Sequence, residues 1–238
     1  MVNNWIDSIQ YGLYPPRCLL CGAAGDGGRD LCAGCHRALA HNRHACPVCA
    51  LPLPAEAPAG SLCGQCQHRL PHFDRCHAAL GYDRLTARLI GQLKFHRRLS
   101  HARLLAQLLL DRLRRQAPER PGLILPVPLH PSRLRERGYN QALEIARPIA
   151  RQFALPLRPG LCRRVRITPA QAGLDQRERR RNLREAFQVD GEVDGLHIAL
   201  LDDVVTTGST VNELSRTLKR AGARRVDVWA VARTPQPE

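Results

Sequence analysis

Four Cys-x-x-Cys pairs, Cys18/Cys21, Cys32/Cys35, Cys46/Cys49 and Cys63/Cys66, place eight of the chain's ten cysteines before residue 67. A two-residue spacer lets one tight turn present two thiolates, and tetrahedral zinc takes four. Gly22 after the first pair and Pro47 inside the third suit such turns. Eight ligands imply two four-cysteine zinc sites, most simply the first two pairs on one ion and the last two on the other; the spacing alone also admits interleaved pairing. A disulfide framework needs an oxidising compartment, and Met1-Val2-Asn3-Asn4-Trp5-Ile6-Asp7 has neither the basic flank nor the apolar core of a secretory signal. A thioredoxin-like redox motif is one pair beside a βαβ unit, not four pairs in a Gly/Pro-rich stretch. His36, His41, His44 and His68 read as surface residues, and Cys76 and Cys162 as small buried hydrophobes.

A chain of 238 residues holds one α/β domain plus a metal-stapled module too small to bury a sufficient core by itself. The boundary is placed at residue 70: 1–70 for the zinc module, 71–238 for the α/β domain. No run of eighteen apolar residues exists, so no membrane span is expected and a cytoplasmic protein is.

The second informative stretch is His197 to Thr210, His-Ile-Ala-Leu-Leu-Asp-Asp-Val-Val-Thr-Thr-Gly-Ser-Thr. Ile198 to Leu201 read as a strand buried on both faces, which puts Asp202 and Asp203 at its carboxyl end, where open α/β sheets bind ligands. Thr206, Thr207, Gly208, Ser209 and Thr210 then offer hydroxyl donors, close backbone approach at the glycine and the N–H groups of a helix start, which suit a phosphate monoester. The plainer alternative is an acidic strand end followed by a Ser/Thr helix cap. No Gly-x-x-x-x-Gly-Lys-Ser/Thr occurs, so the lysine of a nucleotidase P-loop is missing and ATP hydrolysis is not indicated.

Leu123-Ile124-Leu125-Pro126-Val127-Pro128 reads as a strand, and Asn140 to Phe153 as a helix that Pro148 bends. Glu213 to Ala221 reads as a further helix stopped by Gly222, and Val226 to Val231 as the last strand. Upstream leucines suggest two amphipathic helices split near Phe95 to Ser100. Strand, helix and later strand make a βαβ arrangement with a parallel sheet.

Lys plus Arg is 36 against 21 for Asp plus Glu, a formal +15, and only Lys94 and Lys219 are lysines. Two four-thiolate zinc centres lower this to about +11. Arginine forks suit phosphate, in pyrophosphate or in a nucleic-acid backbone; scattered arginines equally form a solvated surface. Arg163, Arg164, Arg166, Arg177, Arg179, Arg180, Arg181 and Arg184 cluster around Thr168 to Leu174, a loop leading to a short helix from about Asp175 to Ala186. Only ten aromatics argue against an extended base-stacking platform.

The Asp202 to Thr210 segment resembles the 5-phosphoribosyl-1-pyrophosphate (PRPP) signature of type I phosphoribosyltransferases, in which two acids hold the ribose hydroxyls and the turn holds the 5′-phosphate. Enzymes of that group acting on 6-oxopurines carry an aspartate where this chain has Thr206, which argues against purine salvage of that kind. Together with Arg133-Leu134-Arg135-Glu136-Arg137-Gly138-Tyr139-Asn140-Gln141 after Pro126-Val127-Pro128, the Thr168/Gln171/Leu174/Arg177/Asn182 loop and the paired cysteines, the chain resembles the ComF family over nearly its whole length. The resemblance implies a double zinc ribbon joined to a phosphoribosyltransferase domain, with a role in DNA uptake during natural transformation. Mg²⁺-PRPP is then expected at Asp202, Asp203 and Thr206 to Thr210; Arg137, Gly138, Tyr139 and Asn140, just past the first strand, lie where a pyrophosphate loop belongs, and Arg177, by position, is the closing arginine that with Asp202 and Asp203 makes the candidate catalytic set. The partners it implies are PRPP, single-stranded DNA and the helicase or recombination proteins of DNA uptake. An active transferase without direct DNA binding is the alternative.

Overall fold

The computed structural model describes residues 15–166 and 185–235. Its centre is a four-stranded, all-parallel sheet in the order β1 (Arg75–Gly81), β6 (Arg225–Arg233), β5 (His197–Val205), β2 (Leu123–Pro126). The apolar runs that define β2, β5 and β6 are buried almost end to end, as strands covered on both faces must be.

On one face lie α3 (Arg84–His96), α4 (Ser100–Gln116) and α6 (Gln141–Phe153), whose leucines and isoleucines pack on Ala199, Leu201, Trp229 and Val231. On the other lie α7 (Ser209–Arg220) and the small antiparallel pair β3 (Cys162–Arg164) and β4 (Phe187–Val189), packed on Ile198, Leu200, Val226 and Val228. The short α5 (Pro131–Arg137) joins β2 to α6.

The N-terminal module adds α1 (Ala33–Ala38) and α2 (Gly64–His68). Its chain runs along the outer edge of β1: Cys76 N–H donates to the Val48 carbonyl at 2.8 Å, Asn42 N–H to Ala79 at 3.0 Å and Gly81 N–H to Ala40 at 2.6 Å. The opposite edge, β2, is covered by residues 156–158, with Ile124 N–H on the Pro156 carbonyl and Arg158 N–H on the Ile124 carbonyl. Neither edge is left as a bare row of donors and acceptors.

Several boundaries differ from the sequence reading. β5 runs to Val205, so Asp202 and Asp203 sit inside its last half rather than beyond it; Asp202 still pairs with Ala230 in register. α7 begins at Ser209, not Glu213, because Gly208 at φ +77° turns the chain directly into the helix. β6 is longer at both ends than Val226 to Val231. β1 and the β3/β4 pair had no counterpart in the sequence reading. The split helices, the parallel sheet and the helix through Pro148 are as expected. Among the described residues no helix is long and apolar enough to cross a membrane.

Candidate functional site

The thiol sulfurs fall into two groups, Cys18/Cys21/Cys32/Cys35 and Cys46/Cys49/Cys63/Cys66, each with all four atoms within 4.8 Å of one another. The pairing is therefore sequential, not interleaved. Cys21 and Cys32 sulfurs lie 3.7 Å apart and those of Cys49 and Cys63 3.5 Å apart. That is far beyond a disulfide bond and close to the ~3.8 Å edge of a tetrahedron of sulfurs around zinc.

Burial raises the Cys18 thiol, but hydrogen bonds from the Cys32, Cys21 and Leu20 backbone outweigh it and leave the pKa at about 6. Cys35 is pushed up to about 12 by burial and then by its three neighbours. In the second group Cys46 is lowered to about 7 while burial and nearby sulfurs push Cys49 up to about 11. Four thiolates crowd into one small volume only around a cation, so the donor set fits Zn²⁺. His36, His41 and His44 are half-buried rather than on the surface, and no histidine joins either group among the described residues. Cys76 and Cys162 are buried, as expected.

At the carboxyl end of β5, Asp203 is almost wholly buried and makes an ion pair with Lys94 from α3. Its other oxygen accepts from Gln141 Nε2 at 3.3 Å, and the Gln141 carbonyl oxygen accepts from Arg137 at 2.5 Å. Asp202 is half-buried and accepts from the Asp203 N–H at 2.9 Å. The pair is held asymmetrically. Burial raises both carboxyls, but Lys94 overrides it at Asp203 and keeps that group below the ordinary carboxylate range. Asp202 is raised well above that range by burial and by the charge of Asp203.

The turn after β5 is built for close approach. Gly208 takes the left-handed conformation, and Thr207 Oγ1 lies 2.9 Å from Ser209 Oγ while accepting from the Ser209 N–H at 3.3 Å. Asn212 N–H is bonded to the Gly208 carbonyl at 2.9 Å. Helix geometry then leaves the N–H groups of Thr210 and Val211 without intrahelical partners. Thr206 is exposed, and Thr207 to Thr210 are half-buried around the turn.

Arg137, Gly138, Tyr139 and Asn140 link α5 to α6. Arg137 lies over the Phe95 ring at 5.9 Å, and Gly138, at φ +86°, ends α5. The other two side chains are engaged within the protein: Tyr139 donates its hydroxyl proton to the Leu93 carbonyl. Asn140 caps α6 through the Ala142 N–H at 2.9 Å and donates to the Val127 carbonyl at 3.0 Å. Arg177, and most of the loop and short helix around it, lie outside the described residues.

Three residues at this site carry no assignment in the sequence reading. Lys94 and Gln141 hold Asp203. Arg233, 3% exposed, donates to the carbonyls of Val205, Thr206 and Thr234 beneath the turn. Lys94 had a signal, as one of two lysines in an arginine-rich chain.

Residues 9–77 match the double zinc ribbon domain. Over 208 residues the chain is 38% identical to the DNA utilization protein YhgH of Salmonella typhimurium, covering 86% of this chain and 90% of the relative. Over 225 residues it is 34% identical to competence protein F of Haemophilus influenzae, covering 91% and 96%. The chain belongs to the ComF family. A ComF protein is thus seen here as two thiolate clusters on a parallel α/β domain, the architecture the sequence implied. Among solved structures it is similar to a purine phosphoribosyltransferase from Pyrococcus horikoshii, at 17% identity and a TM-score of 0.33 over 54% of this chain and 70% of that one. At that score no pocket residue is carried across.

Proposed function

We propose that this ComF protein binds Mg²⁺-PRPP in its α/β domain and acts in DNA uptake during natural transformation. The observation that carries the first half is the buried Asp203, held by Lys94 and Gln141 directly before the Thr206 to Thr210 turn. In this reading Asp202 and Asp203 accept from the ribose hydroxyls and orient Mg²⁺. The turn takes the 5′-phosphate, Arg137 and the backbone of Gly138 to Asn140 face the pyrophosphate, and Arg177 closes over it. Magnesium supplies charge neutralisation on the pyrophosphate.

The second half is supported by relatives named for DNA utilization and competence and by a net charge of +15. Phosphate contacts made by such a surface are sequence-independent and salt-sensitive. Single-stranded DNA is the second ligand of this reading.

Titration calorimetry of PRPP with and without Mg²⁺, beside filter binding of single-stranded DNA, tests both halves separately. Saturable, Mg²⁺-dependent PRPP binding is expected; no heat with either would sink the first half. A working transferase of unassigned acceptor is the second reading, favoured by the intact pairing of a charged acid with a lysine in the site. There the C1–O bond to pyrophosphate breaks as the acceptor bonds to C1, and pyrophosphate leaves with the electron pair. Pyrophosphate release screened across nucleobases, nucleotides and single-stranded DNA decides it.

A further inference from the structure

A cleft of about 890 Å³ opens between the second thiolate cluster and the outer face of α7. One wall is α2 and the chain that follows it to Phe73; the other is the stripe of α7 from Ser209 to Arg220. At 1.5 Å per residue that stripe runs about 16 Å from the turn. The His72 N–H donates to Asn212 Oδ1 at 2.6 Å and ties the walls together. Thr207, Gly208 and Ser209 of the turn line one end of the cleft, whereas neither Asp202 nor Asp203 does, so a ribose phosphate held between the turn and those acids takes that end and leaves free the stretch along His68 to His72 and Asn212 to Arg220.

Its charges are unevenly matched. Arg216 is bonded twice to Glu213, at 2.9 and 2.5 Å, and Glu213 also accepts from the Glu185 N–H at 3.0 Å. Glu185, at the rim, pairs with Arg166, and Arg233 is taken up by backbone carbonyls. Arg69 and Arg220 are exposed and have no acid within ion-pair distance among the described residues. Arg216, Arg69 and Arg220 converge on His72: burial first, and then these cations, hold its pKa below the ordinary value, with Glu213 opposing.

We propose that this cleft is a binding site for the sugar–phosphate backbone of single-stranded DNA, with Arg69 and Arg220 as its phosphate contacts. The proposal rests on the DNA-handling half of the function above and gives it a place. Guanidinium forks match phosphate oxygens, and two uncompensated ones, Arg69 on one wall and Arg220 at the end of the other, suit a chain of phosphates better than a compact ligand. Leu70, 62% exposed, and the imidazoles of His68 and His72 offer faces on which bases rest. Strand and PRPP then occupy adjacent sites at once.

The test is fluorescence anisotropy of a short labelled oligothymidylate with the full, zinc-loaded chain. Arg69→Gln with Arg220→Gln is expected to weaken binding at least about tenfold and to flatten the log–log salt dependence by about 1.4, from two phosphates at ~0.7 each. Mg²⁺-PRPP affinity is expected to hold, and saturating PRPP to leave the strand bound. Arg88→Gln with Arg151→Gln removes the same charge from the opposite face of the sheet and is expected to leave most of the affinity. Equal loss in the two double variants would assign the effect to net charge and overturn the cleft while DNA binding itself stands. Displacement by PRPP, or equal competition by polyglutamate, would also overturn it. An unaltered protein that binds no oligothymidylate would remove the cleft and the DNA half of the function together.

Discussion

Arg233 donates from Nε to the main-chain carbonyl of Cys49 at 3.1 Å. The same guanidinium bonds the carbonyls of Val205 and Thr234 at 3.0 and 3.1 Å. One buried cation thus ties the second thiolate cluster to the floor of the phosphate turn. Its charge is solvated by carbonyl dipoles alone, a geometry that a planar five-donor group fills and an ammonium does not. We expect Arg233→Lys to lower PRPP affinity about tenfold, or ~1.4 kcal/mol, while elemental analysis still finds both zinc ions. Unchanged affinity would show that the turn holds its shape without the arginine.

Zinc content gives the next expectation. Protein purified without chelator should carry two equivalents. Cys18→Ser should release one ion and leave the α/β domain folded, because the segment around that cluster adds a few side chains, Leu20, Leu31 and Leu39 among them, to a core built mainly by the domain's own helices and strands. Cys66→Ser should release the other and also weaken PRPP binding, since Cys49 lies on the path to Arg233. Equal effects of the two variants on PRPP would contradict that difference; absence of metal, or quantitative disulfides, would contradict zinc itself.

Asp202 and Asp203 should respond oppositely to loss of charge. Asp203 has a depressed pKa in the fold, so its contribution to stability is present above the unfolded carboxylate pKa and is lost as pH falls through the folded one. Asp202 has a raised pKa, so its charge works against folding as pH rises through that value. Asp202→Asn is therefore expected to raise the midpoint of thermal unfolding at neutral pH, and Asp203→Asn, which strands Lys94, to lower it. The double Asn variant should bind PRPP at least about tenfold more weakly, ~1.4 kcal/mol. Calorimetry and unfolding scans on the three variants check this; parallel shifts in stability would refute the asymmetry.

Arg179, Arg180 and Arg181 form the densest run of the arginine arm. If they hold a DNA backbone, changing all three to Gln should flatten the salt slope by roughly 0.7 for each phosphate no longer neutralised. Weakened PRPP binding with an unaltered slope would place them on pyrophosphate instead.

Much of this was readable from residues alone. Four equal cysteine spacings specify metal sites with little tertiary context, and Ile198 to Leu201 announce a buried parallel strand. β1 was not readable: Arg75-Cys-His-Ala-Ala-Leu-Gly shows neither alternation nor a continuous apolar run. His77 is buried there because its ring bonds Gln116 Oε1 at 2.9 Å. Arg233 escaped for a related reason. Its partners are main-chain carbonyls 28 and 184 residues away, which no side-chain pattern encodes.

The two covered sheet edges differ in what keeps the cover in place. Residues 156–158 lie on β2 as part of the α/β domain, whereas residues 40–48 lie on β1 as part of a module folded by its metal. Loss of zinc therefore bares one edge and spares the other. A chain with a single open edge can satisfy it against the same edge of a second copy, an isologous contact that closes on itself. The metal-free protein should accordingly collect as a discrete dimer rather than as a growing fibre, with metal occupancy setting its state of association.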